Sequence, residues 1–256
     1  MTSNREQASW PVSRGLFGRF SGWLVGRKAD RARLAKAFAL YHVIVARARE
    51  PRFYADWGVP DTADGRLEMI GAHAALFIRR LRDEGAAGKT LAQDIFDVMF
   101  ADVDRNIREQ GVGDLSVGKH VKRAAQTFLA RCRALDSCLD AADVAGIAEV
   151  LERNIFHRVG DVAAAKAGHE APVVAPAPDR ATIEPGMLAL AGYLLEEEQR
   201  LAGVPATDLL DGRCEIAAVP ATVVTDPDAS PDPSPATSPG TTVASSARAP
   251  GPPPAA

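Results

Sequence analysis

The sequence predicts an all-α protein: an irregular bundle of six to seven helices, followed by a disordered tail rich in proline and alanine. Apolar residues recur at spacings of three and four over most of residues 29–160. No segment shows the two-residue alternation of a half-buried strand bounded by turn residues. Apolar residues make up 46% of the 256 residues, which is enough for the core of one domain with additional segments.

The composition divides the chain into five regions. A basic, glycine-rich and aromatic segment covers residues 1–28, and the helical domain covers residues 29–160. Prolines mark a linker over residues 161–182, and a C-terminal helix with an extension occupies residues 183–219. Residues 220–256 contain almost no large apolar side chain, so they cannot bury enough surface to offset their ordering entropy and are predicted to be disordered.

The first core helix is predicted from an apolar stripe that ends before Pro51, because proline cannot continue a helix. The stripe consists of Leu34, Phe38, Tyr41, Val45 and Ala48. The connector that follows, FYADWGVPDTADGR, combines helix-breaking residues with three aromatic side chains that favour burial. We therefore expect a packed connector, with Asp61, Thr62 or Asp64 as the N-cap of the next helix.

The next two helices are predicted from stripes that end near glycines, which are common just after a helix. One ends near Gly85 and the other is closed by Gly111. The first stripe consists of Leu67, Ile70, Ala74, Phe77, Ile78 and Leu81. The second consists of Ile95, Phe96, Met99, Phe100, Val103 and Ile107.

The longest helix is predicted to begin near Asp114 or Ser116, either of which can cap it. Its stripe consists of Val117, Val121, Ala124, Ala125, Phe128, Cys132, Leu135 and Leu139. A shorter helix is expected from about residue 144 to 156. Another is expected after the linker, from about residue 187 to 202.

Composition and spacing exclude several function classes. A net charge of only -3 argues against nucleic acid as the main partner, so no DNA binding is expected. Three cysteines without a CxxC pair argue against a disulfide framework and a zinc site. No run approaches the roughly 20 apolar residues that span a bilayer, and the N-terminus lacks the apolar stretch of a secretory signal.

No catalytic set can be assembled from the sequence. The five histidines are isolated, and neither a glycine-rich phosphate loop nor a GxSxG nucleophile context occurs. His73 lies at the edge of its apolar stripe and is interpreted as a packed residue. We therefore expect no enzyme activity, no cofactor and no metal.

The segment Gln93–Lys122 carries far more charge than packing needs. Its charged residues include Asp94, Asp97, Asp102, Asp104, Glu109, Asp114, Arg105, Arg108 and Lys119. At about 100° per residue, Asp97, Asp104 and Arg108 share one helix face, whereas Asp102 lies about 160° from Asp104. A magnesium site, a charged docking surface and a solvated face all remain open.

The magnesium interpretation corresponds to an aspartate-rich all-α enzyme that acts on a prenyl diphosphate. Asp97 and Asp104 could each give an oxygen ligand, but position 101 between them is alanine. Such an enzyme would need a carboxylate there and usually a second acidic helix. This enzyme is an alternative function.

The N-terminal segment has the pattern of a helix that lies in the membrane interface, because an aromatic stripe is flanked by cations. The candidate membrane-binding residues are Leu16, Phe17, Arg19, Phe20, Trp23, Leu24, Arg27 and Lys28. A disordered basic tail, a stripe packed on the core and an organellar transit peptide are the alternatives.

Three stretches resemble the ubiquinol–cytochrome c chaperone family, assembly factors for ubiquinol–cytochrome c reductase, respiratory complex III. They are AREPRFYADWGVPDTADGR (48–66), the helix with His73 and Arg79-Arg80-Leu81, and FDVMFADVDRNIREQGVGDLSVGKHVK (96–122). The resemblance covers residues 35–158 and continues weakly to Arg213. The family more often has bulkier residues at the positions of Leu67 and Gly71, and methionine at that of Val103.

The resemblance implies a non-enzymatic chaperone that binds cytochrome b or another complex III precursor at the membrane surface. Mitochondrial relatives work at the inner membrane near the ribosome with a small partner protein, so both contacts are further expectations. The high alanine, arginine and glycine content suggests a bacterial protein on the cytoplasmic side of the inner membrane. A eukaryotic protein would act at the mitochondrial inner membrane, and a general membrane-surface adaptor is a further alternative.

The residues expected to bind the partner combine the charged block with the connector, since complementary charges steer and orient a partner. They are Asp61, Gly65, Arg66, Asp97, Asp102, Asp104, Arg105, Arg108, Glu109, Asp114 and Lys119. Asp61, Gly65 and Arg66 would shape the connector. A role of Asp102 and Asp114 as caps or members of a structural network remains open.

Overall fold

A computed structural model describes residues 28–109, 111, 113–155 and 180–215, which form eight helices and no strand. The all-α prediction is confirmed. The helices are α1 (Lys28–Ala48), α2 (Pro51–Ala55), α3 (Ala63–Arg82), α4 (Gly85–Glu109), α5 (Asp114–Asp140), α6 (Val144–Ile155), α7 (Arg180–Ala202) and α8 (Ala206–Leu210). The predicted tail, nearly all of the predicted linker and most of the N-terminal segment lie outside the described residues.

The central element is α3, in which 14 of 20 residues are buried. It contacts α1, α4, α5, α6, α7 and α8. Helices α1 and α4 run parallel, because Arg33 pairs with Asp94 and, eight residues further along both helices, Tyr41 pairs with Asp102. The chain thus wraps its other long helices around one apolar helix.

Two glycines end helices as expected from the sequence. Gly85 and Gly111 have φ angles of 65° and 78°, which glycine adopts without steric cost. Gly85 lies three residues after the end of α3, as the first residue of α4, and Gly111 follows the end of α4. The proposed caps of α5 are wrong, because Gly113 is the N-cap and Asp114 is already the first helical residue.

The predicted register of α1 is partly wrong. Phe38 is 42% exposed, whereas Ala37, Leu40 and Ile44 are buried. The helix carries alanine or a larger apolar residue on most of its sides, so the spacing of apolar residues alone does not decide which side faces the core. Helix α7 also begins earlier than predicted, at Arg180, with Pro185 inside it. A proline close to the start of a helix interrupts fewer hydrogen bonds than one in its middle.

The connector between α1 and α3 is packed, as predicted. Phe53 and Trp57 are buried, and their ring centroids lie 5.4 Å apart. The hydroxyl of Tyr54 donates a hydrogen bond of 2.6 Å to the carbonyl oxygen of Ala48. Thr62 caps α3, because its hydroxyl accepts a hydrogen bond of 3.1 Å from the backbone N–H of Gly65.

Within the described ranges, no helix is both long and apolar enough to cross a bilayer. The same part of the chain holds no group of three histidine, cysteine or carboxylate side chains that could bind a metal ion. All described residues belong to one compact unit.

Candidate functional site

Part of the charged block fastens α1 to α4. Asp94 is buried and accepts hydrogen bonds from the guanidinium group of Arg33. Asp102 accepts a hydrogen bond of 3.0 Å from the hydroxyl of Tyr41. Burial, and next the nearby carboxylate of Asp102, raise the pKa of Tyr41 well above its usual range. Asp102 is therefore a member of a structural network, one of the two roles left open by the sequence.

The remaining described charges of this block lie on the surface. Asp104 and Arg108 form an ion pair of 2.7 Å one helical turn apart, with side-chain exposures of 29% and 50%. Arg105, Glu109 and Lys119 are exposed and form no ion pair with another described residue. We call these five residues the charged tip, since they surround the turn between α4 and α5. The side chain of Asp114 is not among those that the structure describes.

Asp97 and Asp104, the two aspartates considered for a magnesium site, and the neighbouring Asp102 have separate partners. Asp97 accepts a hydrogen bond of 2.8 Å from the side-chain amide of Gln93. Asp104 is paired with Arg108, and Asp102 is directed towards Tyr41 of α1. Their carboxylates are therefore engaged in different directions rather than gathered around one point.

The connector residues of the predicted site differ in role. Asp61 and Arg66 form an exposed ion pair of 2.6 Å. The hydrogen bond from Arg66 lowers the pKa of Asp61. Gly65 is buried, and a Cβ atom there would overlap the backbone carbonyl of Pro60. Gly65 therefore serves the fold, while Asp61 and Arg66 are available on the surface.

The connector end of α3 and the charged half of α4 meet α5 around a small cavity. Its volume is about 20 Å³, enough for about one water molecule. It is lined by Leu67, Glu68, Gly71, Met99, Phe100, Val103, Ala124, Phe128 and Arg131. In its wall, Arg131 donates a hydrogen bond of 3.0 Å to Glu68, and both side chains are buried.

Leu67, Gly71 and Val103, the three positions at which the sequence analysis expects the family to carry other residues more often, all line this cavity. A Cβ atom at position 71 would lie 3.2 Å from Nη1 of Arg131 and 3.7 Å from the ring of Phe128. Gly71 therefore allows Arg131 and Phe128 to approach the backbone of α3 closely at this cavity.

His73 is a packed residue, as predicted. Its Nδ1 atom lies 2.8 Å from the carbonyl oxygen of Met69, and its Nε2 atom lies 2.9 Å from the hydroxyl of Tyr193. Because the carbonyl can only accept, Nδ1 donates to it and Nε2 of the neutral ring accepts from Tyr193. Burial lowers the pKa of His73 to about 4. Both ring nitrogens are thus occupied in the core.

The arginines that follow on α3 also connect helices. Arg79 is buried and pairs with Asp136 of α5 at 3.0 Å and with Glu198 of α7 at 3.3 Å. Arg80 donates hydrogen bonds of 3.0 and 3.1 Å to the carbonyl oxygens of Leu201 and Val204. The second stretch of the family resemblance therefore consists largely of residues that hold the bundle together.

A second buried ionic cluster joins α1 to α7. Arg47 pairs with Glu197 at 3.0 Å, and both side chains are buried. Arg200 also donates to Glu197, at 2.8 Å. Burial alone would raise the pKa of Glu197, but the hydrogen bonds from Arg200 and Arg47 outweigh it and lower the pKa. This cluster could not be predicted from the sequence, because nothing local links residues that are 150 positions apart.

Comparison with known proteins gives a family match over most of the described bundle. The model of the family described as ubiquinol-cytochrome C chaperone matches residues 55–217. A curated relative from Xenopus laevis, ubiquinol-cytochrome-c reductase complex assembly factor 1, is 23% identical over 125 residues. The match covers 49% of this chain and 62% of that protein, so the chain spans less than two thirds of that relative's length.

A solved structure shows the same fold at higher identity. The crystal structure of the Cbp3 homolog from Brucella abortus is 34% identical in sequence and superposes with a TM-score of 0.60. The similarity covers 75% of this chain and 94% of that one. The charged tip and the arginines of α3 thus lie within residues 55–217, which the family model matches.

Proposed function

The chain belongs to the ubiquinol-cytochrome C chaperone family, and we propose that it is a non-enzymatic assembly chaperone for ubiquinol–cytochrome c reductase, respiratory complex III. The observation that carries this proposal is the family match over residues 55–217. The name of the Xenopus relative, an assembly factor of that complex, supports it.

We propose cytochrome b, or a related complex III precursor, as the client. A newly made membrane protein exposes polar loops before its partners cover them. The charged tip offers both signs of charge on one surface: Arg105 and Lys119 are cationic, and Glu109 is anionic. Complementary charges on such a surface orient a partner and reject wrong ones more than they increase affinity.

We also propose that the protein acts as a peripheral protein at the inner membrane. The aromatic and cationic pattern of residues 16–28 supports this proposal, although only Lys28 of this segment belongs to the described bundle. Deletion of residues 1–28 should abolish co-sedimentation with anionic vesicles. If binding is unchanged, the segment is not the membrane anchor.

A charge swap tests the charged tip as the client-binding surface. The double substitution Asp104→Lys, Arg108→Glu keeps an ion pair at this spacing but exchanges the positions of the two charges. It should change the free energy of unfolding by only about a few tenths of a kcal/mol. We expect complex III activity to fall in cells that carry only this variant, while the thermal melt of the purified protein stays unchanged.

Arg52→Asp combined with Asp56→Arg provides the matched control, since this surface pair has the same spacing, with its charged groups 3.7 Å apart. The control should retain activity. Full activity of the tip variant would show that the client binds elsewhere. A lowered melting temperature would instead assign Asp104 and Arg108 to the fold.

A further inference from the structure

The charged end of α4 is far less buried than the rest of the helix. Eight of the ten residues from 91 to 100 are buried, whereas Val103 is the single buried residue among those from 101 to 109. Ile107 is half-buried and packs against the core. The tip lies where α4 leaves the interior of the bundle, because this last part of the helix carries four of its five residues, Asp104, Arg105, Arg108 and Glu109.

Apolar packing alone holds this end of α4 weakly. Val103 lines the cavity of about 20 Å³, so part of its side chain lacks closely packed neighbours. Ile107 buries only part of its surface. A helix end with few buried apolar contacts can open locally while the remainder of the fold stays intact. The position of the charged tip therefore depends on other contacts as well.

A hydrogen bond between two helices lies at the base of this segment, where the buried part of α4 ends. The hydroxyl of Tyr41 donates to the carboxylate of Asp102 at 3.0 Å. Asp104 and Asn106, in contrast, form hydrogen bonds within α4. Asp104 accepts from Arg108, and Asn106 donates to the backbone carbonyl of Asp102. Asp102 therefore connects the emerging end of α4 to a neighbouring helix.

The donor of this hydrogen bond is held firmly in the core. Tyr41 is buried, and Leu40 and Ile44 on the same helix are fully buried. Burial, and next the carboxylate of Asp102, raise the pKa of Tyr41, so the phenol keeps the proton that it donates. A hydrogen bond to an ionised acceptor is stronger than one between neutral groups. Helix α1 thus presents a fixed donor to a helix end that has little apolar support.

The other polar contact between α1 and α4 lies where α4 is already fixed. Arg33 donates to Asp94, eight residues earlier on both helices. In that part of α4, Leu91, Ile95 and Val98 are buried in the core. The hydrogen bond from Tyr41 acts on the exposed part instead, where one contact is a larger share of the attachment.

We propose that Tyr41 and Asp102 are positioning residues of the client-binding surface, because their hydrogen bond fixes the charged end of α4 against α1. Without this bond, the end of α4 separates from α1 while the bundle stays folded. The inference rests on the proposed function, since it assumes that the charged tip binds the client. When the tip is open in part of the molecules, client affinity falls in proportion to the fraction that remains closed.

Hydrogen exchange of the full-length protein at pH 7 tests the positioning step. In the wild type, the backbone amides of residues 103–109 should exchange at least about tenfold faster than those of residues 92–100. Tyr41→Phe removes the hydroxyl and keeps the ring, so it should accelerate exchange of residues 103–109 by about tenfold or more. Asp102→Ala removes the acceptor and should have the same effect, which keeps the test valid if Tyr41→Phe does not fold.

Tyr54→Phe is the matched control, since it makes the same change at a hydroxyl that donates to the carbonyl oxygen of Ala48, outside α4. Its hydrogen bond stays intact when the end of α4 opens, so exchange of residues 103–109 should stay within about twofold of the wild type. Asp102→Asn keeps an acceptor for Tyr41 and should accelerate exchange less than Asp102→Ala.

Two results would overturn the positioning step. One is equal exchange of the two parts of α4 in the wild type. The other is unchanged exchange of residues 103–109 in variants of Tyr41 and Asp102 that circular dichroism shows to be folded.

The amount of assembled complex III in cells measures the consequence for the client. Tyr41→Phe and Asp102→Ala should lower it by at least about twofold, Asp102→Asn should lower it less, and Tyr54→Phe should leave it unchanged.

Failure of this inference can be told apart from failure of the proposed function. If exchange is accelerated but assembly stays normal, while the charge swap Asp104→Lys, Arg108→Glu lowers assembly, the client surface stands and the positioning role is rejected. If the charge swap also leaves assembly normal, both proposals fail.

Discussion

His73 shows how an ionisable side chain is accommodated in the core of this bundle. It contacts the carbonyl oxygen of Met69 and the hydroxyl of Tyr193, so both ring nitrogens have partners. The imidazole ring also packs against Phe53 and Tyr193, with centroids 5.6 and 5.7 Å away. Protonation would place a charge in this apolar cluster and break the hydrogen bond from Tyr193.

This arrangement predicts loss of stability at mildly acidic pH. The pKa of His73 is about 4 in the fold and 6.5 in an unfolded chain, so the unfolded state takes up the proton first. The contribution of His73 is complete above pH 6.5 and declines as pH falls towards 4, by up to about 3 kcal/mol. Urea unfolding at pH 7 and pH 4.5 measures this change.

His73→Gln provides the control, because an amide does not titrate. The variant should be less stable at pH 7 but should lose less stability than the wild type on acidification. Carboxylates that titrate in this range, including Glu197, should change the stability of both proteins equally. Identical pH dependence of the two would contradict the burial account of His73.

Gly65 is required by the close approach of two backbone segments. Gly65→Ala would place a methyl group against the carbonyl of Pro60 and should lower the free energy of unfolding by about 1–3 kcal/mol. Gly118→Ala is the control, since a Cβ atom there has no neighbour within 4 Å. It should be neutral or stabilising by up to about 1 kcal/mol. Equal unfolding midpoints would contradict this explanation.

At the scale of elements, the cavity between α3, α4 and α5 joins the connector to the charged half of α4. Val103→Met should fill part of it and raise the free energy of unfolding by about 0.5–2 kcal/mol. Urea unfolding at pH 7 measures the change. Val98→Met is the matched control, since Val98 is buried but does not line the cavity, and overpacking there should destabilise by about 1–3 kcal/mol.

The signs of the two changes in the free energy of unfolding show whether the cavity is empty. Destabilisation by both substitutions would show that the space is already filled by movement of its walls. A stabilised Val103→Met protein that no longer supports complex III would show that the client uses the cavity.

Helix positions could be predicted from local sequence, but their contacts could not. Gly111 and Pro51 marked the ends of α4 and α1 because backbone conformation at those residues is a local property. Arg47 and Glu197 could not be paired, because only the fold brings α1 and α7 together. The exposure of Phe38 was missed for a related reason, since a helix that is apolar on most sides does not reveal its register.

The pairings of the charged block could likewise be predicted only in part from the sequence. Helical spacing correctly separated Asp102 from Asp104 and identified the Asp104–Arg108 pair. The same spacing could not reveal that Asp94 and Asp102 bind α1, because their partners Arg33 and Tyr41 lie 61 residues earlier. Some of the acidic residues that suggested excess charge are therefore structural. Within this block, the candidate client surface is reduced to the charged tip.

At the scale of the whole molecule, buried ion pairs connect the helices that carry the charged tip to the rest of the bundle. The clusters around Arg79 and Glu197 connect α3, α5, α7 and α1 through buried or half-buried side chains. Removing one partner from such a buried pair typically costs about 3–5 kcal/mol. The bundle can therefore hold the charged tip in a fixed position, as a chaperone that orients its client would require.

Deletion of the gene tests the central proposal most directly, with assembled complex III measured on native gels and haem b measured by its absorption spectrum. We expect the deletion to remove most assembled complex and reduce the haem b signal, and the wild-type gene, but not the Asp104→Lys, Arg108→Glu variant, to restore both. Normal amounts of complex III and haem-loaded cytochrome b in the deletion strain would contradict the proposed function.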